Sequence, residues 1–427
     1  MTNAKIAGGI LPAILGLLAF GASSQAPGQD LASGDLIHGR VTTDDGLTYE
    51  GELRFGGDEE ASWGNYFNAV KDGNPWAVQV PGEQLRERTP VEFFGVAVGS
   101  REREIDLGRP FMARFGDIAR IDASGRDLRV TVKSGTVFEL DRYAADDFAD
   151  GVRVRDAARG VVDLDEWRIR SIELTAAPPG AAPELLHGTV RTRRGDFTGF
   201  LQWNRKQGVV SDVLGVGTAD AEPGLAFGTI RSIARRSSDS ALVTLDDGRE
   251  IVLFDSREIG QRNRGTYVDD LRYGRVLISW DAFERIDFSP GGAGPAYDDF
   301  PSGLPITGSV VTRSGRRLAG RLVYDLDESE TTETLDAPWQ GIDYTILLGL
   351  VASIELLGLE GAGTRDARVT LHGGEQLELE RAGDLGAGNA GMLVFVDGRG
   401  RADYVPWIDV ARVDFDRPPE IYPSGAR

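Results

Sequence analysis

A threefold internal echo limits this chain to a small set of architectures, because self-similarity at a fixed spacing is the signature of repeat proteins. Phe115-Gly116-x-Ile118-x-x-Ile121 returns as Phe227-Gly228-x-Ile230-x-x-Ile233 and as Leu348-Gly349-x-Val351-x-x-Ile354. A second mark, Trp280-x-x-Phe283-x-x-Ile286-Asp287-Phe288, returns as Trp407-x-x-Val410-x-x-Val413-Asp414-Phe415. The spacing of apolar residues by three predicts a short 3₁₀ turn feeding a strand.

Each repeat opens on a hairpin pattern. His38-Gly39-Arg40-Val41-Thr42 leads through Gly46 to Gly51-Glu52-Leu53-Arg54-Phe55. His187-Gly188 leads to Gly199 and Trp203, and Thr307-Gly308 leads to Gly320 and Tyr324. Alternating apolar positions around a turn glycine read as paired strands. The second half of each repeat carries another such hairpin, as in Leu242-x-x-Leu245-Asp246-Asp247-Gly248-x-x-Ile251. Pro- and Gly-rich stretches fall after the second mark and read as boundaries. The expected layout is a first repeat at 36–175, a linker at 176–183, and a second repeat at 184–288. A linker at 289–303, a third repeat at 304–416 and a tail at 417–427 complete it. Repeat one departs from the pattern. Phe55 to Phe115 is 60 positions, 36 more than the 24 that separate Trp203 from Phe227 and Tyr324 from Leu348. This insertion, at about 56–114, holds Trp63, Tyr66, Phe67, Trp76, Phe93 and Phe94, and departures from a regular scaffold are where function concentrates.

The expected fold class is all-β: three tandem repeats, each built from two half-units. The segment Val190-x-Thr192-x-x-Gly195-x-Phe197-x-Gly199-x-Leu201 and the closing Trp280-to-Phe288 segment resemble the first and last strands of SH3-like or Sm-like proteins. That resemblance, spread over most of 36–416, implies that each repeat is a pair of small barrels. Sm-like proteins that bind RNA carry basic loops that are not found here, so RNA binding does not come with the resemblance, and neither does peptide binding.

The N-terminus reads as a signal peptide, residues 1–24, followed by a linker at 25–35. Lys5 is the only charge before Asp30, the run from Ile6 to Phe20 is apolar, and Gly21-Ala22-Ser23-Ser24 supplies small residues for cleavage. That run is too short to span a bilayer, so no membrane span is expected in the mature chain. The protein is therefore expected to be exported, periplasmic or extracellular. With no cysteine, it must hold its fold without disulfides. A net charge of −20 disfavours nucleic acid as a partner.

Chemical motifs are sparse. His38 and His187 recur by repeat position, which reads as structural, and His372 adjoins a turn glycine. Carboxylate pairs such as Asp146-Asp147, Asp246-Asp247, Asp269-Asp270 and Asp298-Asp299, and the run Asp325-x-Asp327-Glu328, lie at expected turns, where Asp bonds its own backbone. No cofactor is expected; calcium, which suits oxygen-rich loops, is the one alternative, although no EF-hand spacing is present. Trp167, Trp280 and Trp407 are expected in the core, with Trp167 displaced by one residue from the other two. Trp63, Tyr66, Trp76 and Trp339 are the candidate ligand-binding residues, since exposed aromatics stack on sugars or anchor proteins. The expected function is a non-catalytic binding or scaffold protein whose partner is a protein or glycan of the cell envelope. The alternatives are a carbohydrate-binding protein using these rings and a carboxylate-dependent hydrolase.

Overall fold

A computed structural model describes residues 36–419, apart from 57–59, 84–85, 94–95, 105–108, 179–182, 216–223, 255–256, 292–293 and 358–365. The signal peptide and the linker at 25–35 lie outside the described residues, as does the tail from 420. The protein is all-β, and no helix among the described residues is long and apolar enough to cross a membrane.

Three large antiparallel sheets share one strand order. The first runs Gly160–Leu164, Val152–Asp156, Thr48–Phe55, His38–Thr43, Ile169–Leu174, Ile118–Ser124, Asp127–Val132, Val137–Asp141. In the second the order is Gly274–Ile278, Thr266–Asp270, Gly195–Gln202, Leu186–Thr192, Phe283–Pro290, Ile230–Arg235, Ser240–Leu245, Glu250–Phe254. The third runs Asp403–Val405, Met392–Phe395, Arg317–Val323, Thr307–Thr312, Val410–Phe415, Val351–Leu356, Asp366–Leu371, Gln376–Glu380. The halves therefore interleave instead of standing side by side: the opening hairpin of the first half takes the late hairpin of the second half as its neighbour.

The marks read from sequence acquire physical roles. Phe115–Asp117, Phe227–Thr229 and Leu348–Leu350 are 3₁₀ turns, each leading straight into a strand. Phe115, Ile118 and Ile121 are fully buried, and so are their counterparts Phe227, Ile233, Val351 and Ile354 to within a few per cent. The paired glycines of the opening hairpins face each other across the ladder: Gly39 opposite Gly51, Gly188 opposite Gly199, Gly308 opposite Gly320. At each of these six positions a Cβ would run into the carbonyl oxygen of a flanking strand, such as Asp269 for Gly199 and Arg155 for Gly51. Glycine there allows three backbones to approach where any side chain would hold them apart.

The third segment does not close on itself. Its hairpin Thr334–Trp339/Ile342–Leu347 leaves for the second sheet, where Ile342–Leu347 pairs with Gly274–Ile278 and extends that sheet to ten strands. One continuous apolar core follows, from Leu186 of the second segment to Phe415 of the third, with a separate core beneath the first sheet. The described residues from 36 to 419 belong to one compact unit. The stretch expected to be the second linker is also docked. Phe300 is 3% exposed, and its ring lies against Gly116, where a Cβ would stand 2.8 Å away, and beneath the Arg114 guanidinium at 4.5 Å. Tyr297 donates its hydroxyl to the Ile118 carbonyl at 2.7 Å.

Gly199→Ala should destabilise the protein by about 3 kcal/mol, the upper range for forcing extra atoms into a packed interior. Gly388→Ala, where a Cβ meets open space, should be near neutral. Denaturant unfolding of both variants measures the difference.

Candidate functional site

The insertion of the first segment is built into the junctions between segments. Its strands Tyr66–Val70 and Pro110–Arg114 form a two-stranded sheet held to the first sheet through the Lys71–Leu140 bridge. From there it reaches both neighbours. Toward the second segment, Trp63 packs on Phe200 at 5.3 Å in a small cluster with Ala61, Leu185 and Phe300, and the Gln202 amide donates to Asn65 Oδ1 at 3.0 Å. Toward the third, Trp76 and Val80 join Val323, Leu326 and Leu393.

This placement corrects the expectation of exposed rings. Trp63 is 2% exposed and Tyr66 4%, so neither offers a free face. The Arg275 guanidinium covers the Tyr66 ring at 3.9 Å, and burial pushes the Tyr66 hydroxyl up to about 12. Trp76 is half-buried edge-on to Phe395, with Arg321 5.2 Å above it. Trp339 is half-buried on the strand donated to the second sheet, under Arg194. The reason is common to all four: they sit where two segments meet, and the sequence of one repeat does not reveal the neighbour.

Trp167 departs from the core expectation in the other direction. Trp280 and Trp407 are buried, but Trp167, one position later on its turn, is 50% exposed. Tyr143, 54% exposed, lies 5.8 Å from it. Two Asp-capped turns hold the pair. Asp141 accepts from the Tyr143 amide and Asp165 from the Trp167 amide, both at 2.9 Å. Buried Arg142 packs beneath Trp167 at 4.7 Å. The one-residue displacement was the sequence signal for this exposure.

The insertion also walls a cavity of about 330 Å³ against the third segment. One side is Lys71, Arg109 and Phe111; the other is the loop Asp325–Glu328 with Glu333, Asp336 and Asp384. The loop turns back on itself because Asp325 and Leu326 both take left-handed backbone, φ 51° and 53°, letting the Tyr324 amide reach the Glu328 carbonyl at 2.7 Å. Lys71 Nζ lies 2.6 Å from Asp327 and 3.3 Å from Glu333, with all three side chains largely buried. Burial opposes its charge, but Glu333 and Asp327 outweigh that and raise its pKa. Arg109 approaches Asp325 at 3.2 Å.

The remaining carboxylate capacity goes mostly to the protein's own donors. Asp325 accepts from the Ala390 amide, and Asp384 accepts from the Asp336 amide at 2.6 Å. Glu333 accepts from the Ser329 and Glu330 amides, and Asp336 from the Thr334 and Thr345 hydroxyls. Burial pushes Asp325 up to about 7 despite Arg109, and drives Glu328 and Asp384 well above the usual carboxylate range. Chemically, the arrangement is a charge clamp between segments. Lys71 and Arg109 of the first segment pair with carboxylates of the third, and Asp325, Asp384, Glu333 and Asp336 also hold the third segment's backbone and hydroxyl groups. Among the described residues no group of three or more His, Cys, Asp or Glu is placed to hold a metal ion.

No protein-family model matches the chain, and no curated protein matches it. Among solved structures, one of streptogramin B lyase is similar over 70% of this chain and 94% of its own, at 10% identity and a TM-score of 0.12. A likeness of that size carries no argument about fold or function.

The clamp has a pH signature. The folded-state pKa of Asp325 is raised above its unfolded value of about 3.9, so the folded state holds a proton that the unfolded state releases. Its stabilising share is fully present below about pH 4 and is lost as pH rises through 7. Asp325→Asn should flatten the fall in Tm between pH 5 and 8, measured by calorimetry against the parent protein.

Proposed function

We propose that this is an exported, non-catalytic binding or scaffold protein of the cell envelope, and that it meets a protein partner through the strand pair Arg86–Phe93 and Val96–Glu104. The observation that carries this reading is how the insertion divides. Trp63, Tyr66 and Trp76 are spent on joining segments, whereas the strand pair is a two-stranded sheet outside the three large sheets. A two-stranded sheet alone is marginal in water and gains stability from whatever it touches. Its register sets Arg86 opposite Glu104, Glu87 opposite Arg103 and Arg88 opposite Glu102, pairings that favour a hairpin. Between these charged arms, residues 91–98 read VEFFGVAV, apolar apart from Glu92.

Several features support the rest of the reading. Lys5, the apolar run from Ile6 and the small residues at 21–24 support export. The shared strand order supports three tandem repeats. Within each, the group formed by the opening hairpin, the late hairpin and the final strand supports an SH3-like unit interleaved with its partner. The hydrolase alternative draws less support, because the buried carboxylates at the clamp are largely committed to ion pairs, amides and hydroxyls.

Replacing residues 86–104 by a short Gly-Ser turn should leave Tm within about 2 °C of the parent, since among the described residues these strands pair only with each other, and should abolish cross-linking to the envelope partner. A variant that still cross-links the same partner contradicts the reading.

A carbohydrate-binding reading keeps one specific support, transferred from the four expected residues to Tyr143 and Trp167. These two neighbouring rings are exposed on Asp-capped turns, and exposed aromatic faces can stack on sugars. On a glycan array, Trp167→Ala should remove binding without changing Tm. An array signal equal in parent and variant rules the platform out.

A further inference from the structure

We infer that a second cavity beside the insertion, on the side of the second segment, is a binding site for a small oxyanion. It has a volume of about 190 Å³ and lies where Tyr66 and Asn68 meet Arg205, Arg264, Tyr267 and Arg275. Three guanidinium groups thus converge in one small cavity of a chain whose net charge is −20. A local reversal of sign on an acidic surface concentrates anions at that point.

Arg275 carries the argument. It is 9% exposed, held between the rings of Tyr66 at 3.9 Å and Tyr267 at 4.6 Å. Its Nη2 reaches only the Met112 sulfur, at 3.5 Å, and its Nε has no hydrogen-bond partner. Asp147, Asp269 and Asp336 act on it through space. Among the described residues, however, no carboxylate closes an ion pair with it. Buried arginines elsewhere in this protein are paired, as Arg114 is with Asp117 at 3.0 Å. A buried cation without a partner is costly, and an anion in the cavity satisfies it.

Arg205 is placed by backbone that ordinary residues avoid. Asn204 and Arg205 both take left-handed conformations, φ 54° and 60°. Arg205 Nε then donates to the Arg264 carbonyl at 2.8 Å, and Arg264 Nε donates to the Asn204 carbonyl at 3.2 Å. Arg205 is thereby anchored on the Arg264 backbone, and Arg264 on the Asn204 backbone, beside the cavity. Guanidinium forks match the paired oxygens of phosphate, sulfate or carboxylate. The shared ligand chemistry is a compact oxyanion, free or carried on a small molecule. None of this involves residues 86–104, so the inference and the hairpin reading can fail separately.

The test is the Tm of the full chain titrated with inorganic phosphate, glucose 6-phosphate or glucuronate, at ionic strength matched with sodium chloride. At least one of the three should raise Tm in a saturable way. Arg205→Gln and Arg264→Gln, both on solvent-accessible turns, should each weaken that response about tenfold, a loss of one good charge-assisted contact. A stronger response to glucose 6-phosphate than to phosphate identifies a carried phosphoryl group, and a response to glucuronate alone identifies a carboxylate. The inference is overturned if none of the three acts beyond the chloride control, or if the double variant responds as the parent does.

Discussion

The backbone ladder between Arg275–Ile278 and Ile342–Thr345 is the contact on which the rest of the molecule depends. Without it, Gly274–Ile278 would be an open edge of the second sheet, with unpaired amides and carbonyls facing water or another chain. The hairpin that closes this edge comes from the third segment. In lending it, the third segment merges its core with that of the second, so Leu335, Ile342 and Tyr344 bury against residues such as Phe197 and Val276. Segments that share both a sheet and a core cannot unfold one at a time without exposing each other's interior.

The first segment joins this pair by a different device. Its insertion supplies side chains, where the third segment supplies a strand. Trp63 goes to the second segment, and Trp76, Lys71 and Arg109 go to the third. The docked stretch at Tyr297–Phe300 returns the connection from the other side. The two cavities flanking the insertion are consequences of this docking. Turns in equivalent positions, Asn204–Arg205 and Asp325–Leu326, share a left-handed backbone yet present a cation in one case and a carboxylate in the other. A common scaffold turn thus acquires opposite electrostatic character at the two junctions.

The legible part of this fold was what lies within one repeat. Period-two alternation, turn glycines and the Phe-Gly-x-Ile mark located strands and 3₁₀ turns because those features are set by neighbours a few residues away. The glycine pairs were visible as a pattern, but their reason, the close passage of a strand from the other half, was not. What sequence could not show was partnership over long range. Nothing in Thr334–Leu347 says that it pairs with another segment's edge, and nothing in Trp63 or Tyr66 distinguishes a ring buried by a neighbour from one left in water. The burial of Trp63 and Tyr66 was not legible for that reason. Trp167 alone carried a readable warning, its one-residue offset from Trp280 and Trp407. Arg275 carried none, since its lack of a closed ion pair is a property of the assembled junction.

If the segments fold as one unit through the lent hairpin, thermal unfolding of fragments followed by circular dichroism will show it. Residues 296–418, holding the third segment with its hairpin unpaired, should lack a cooperative transition, while residues 184–418, which restore the second sheet, should regain one. A cooperative melt of 296–418 at the temperature of the full chain would contradict the claim.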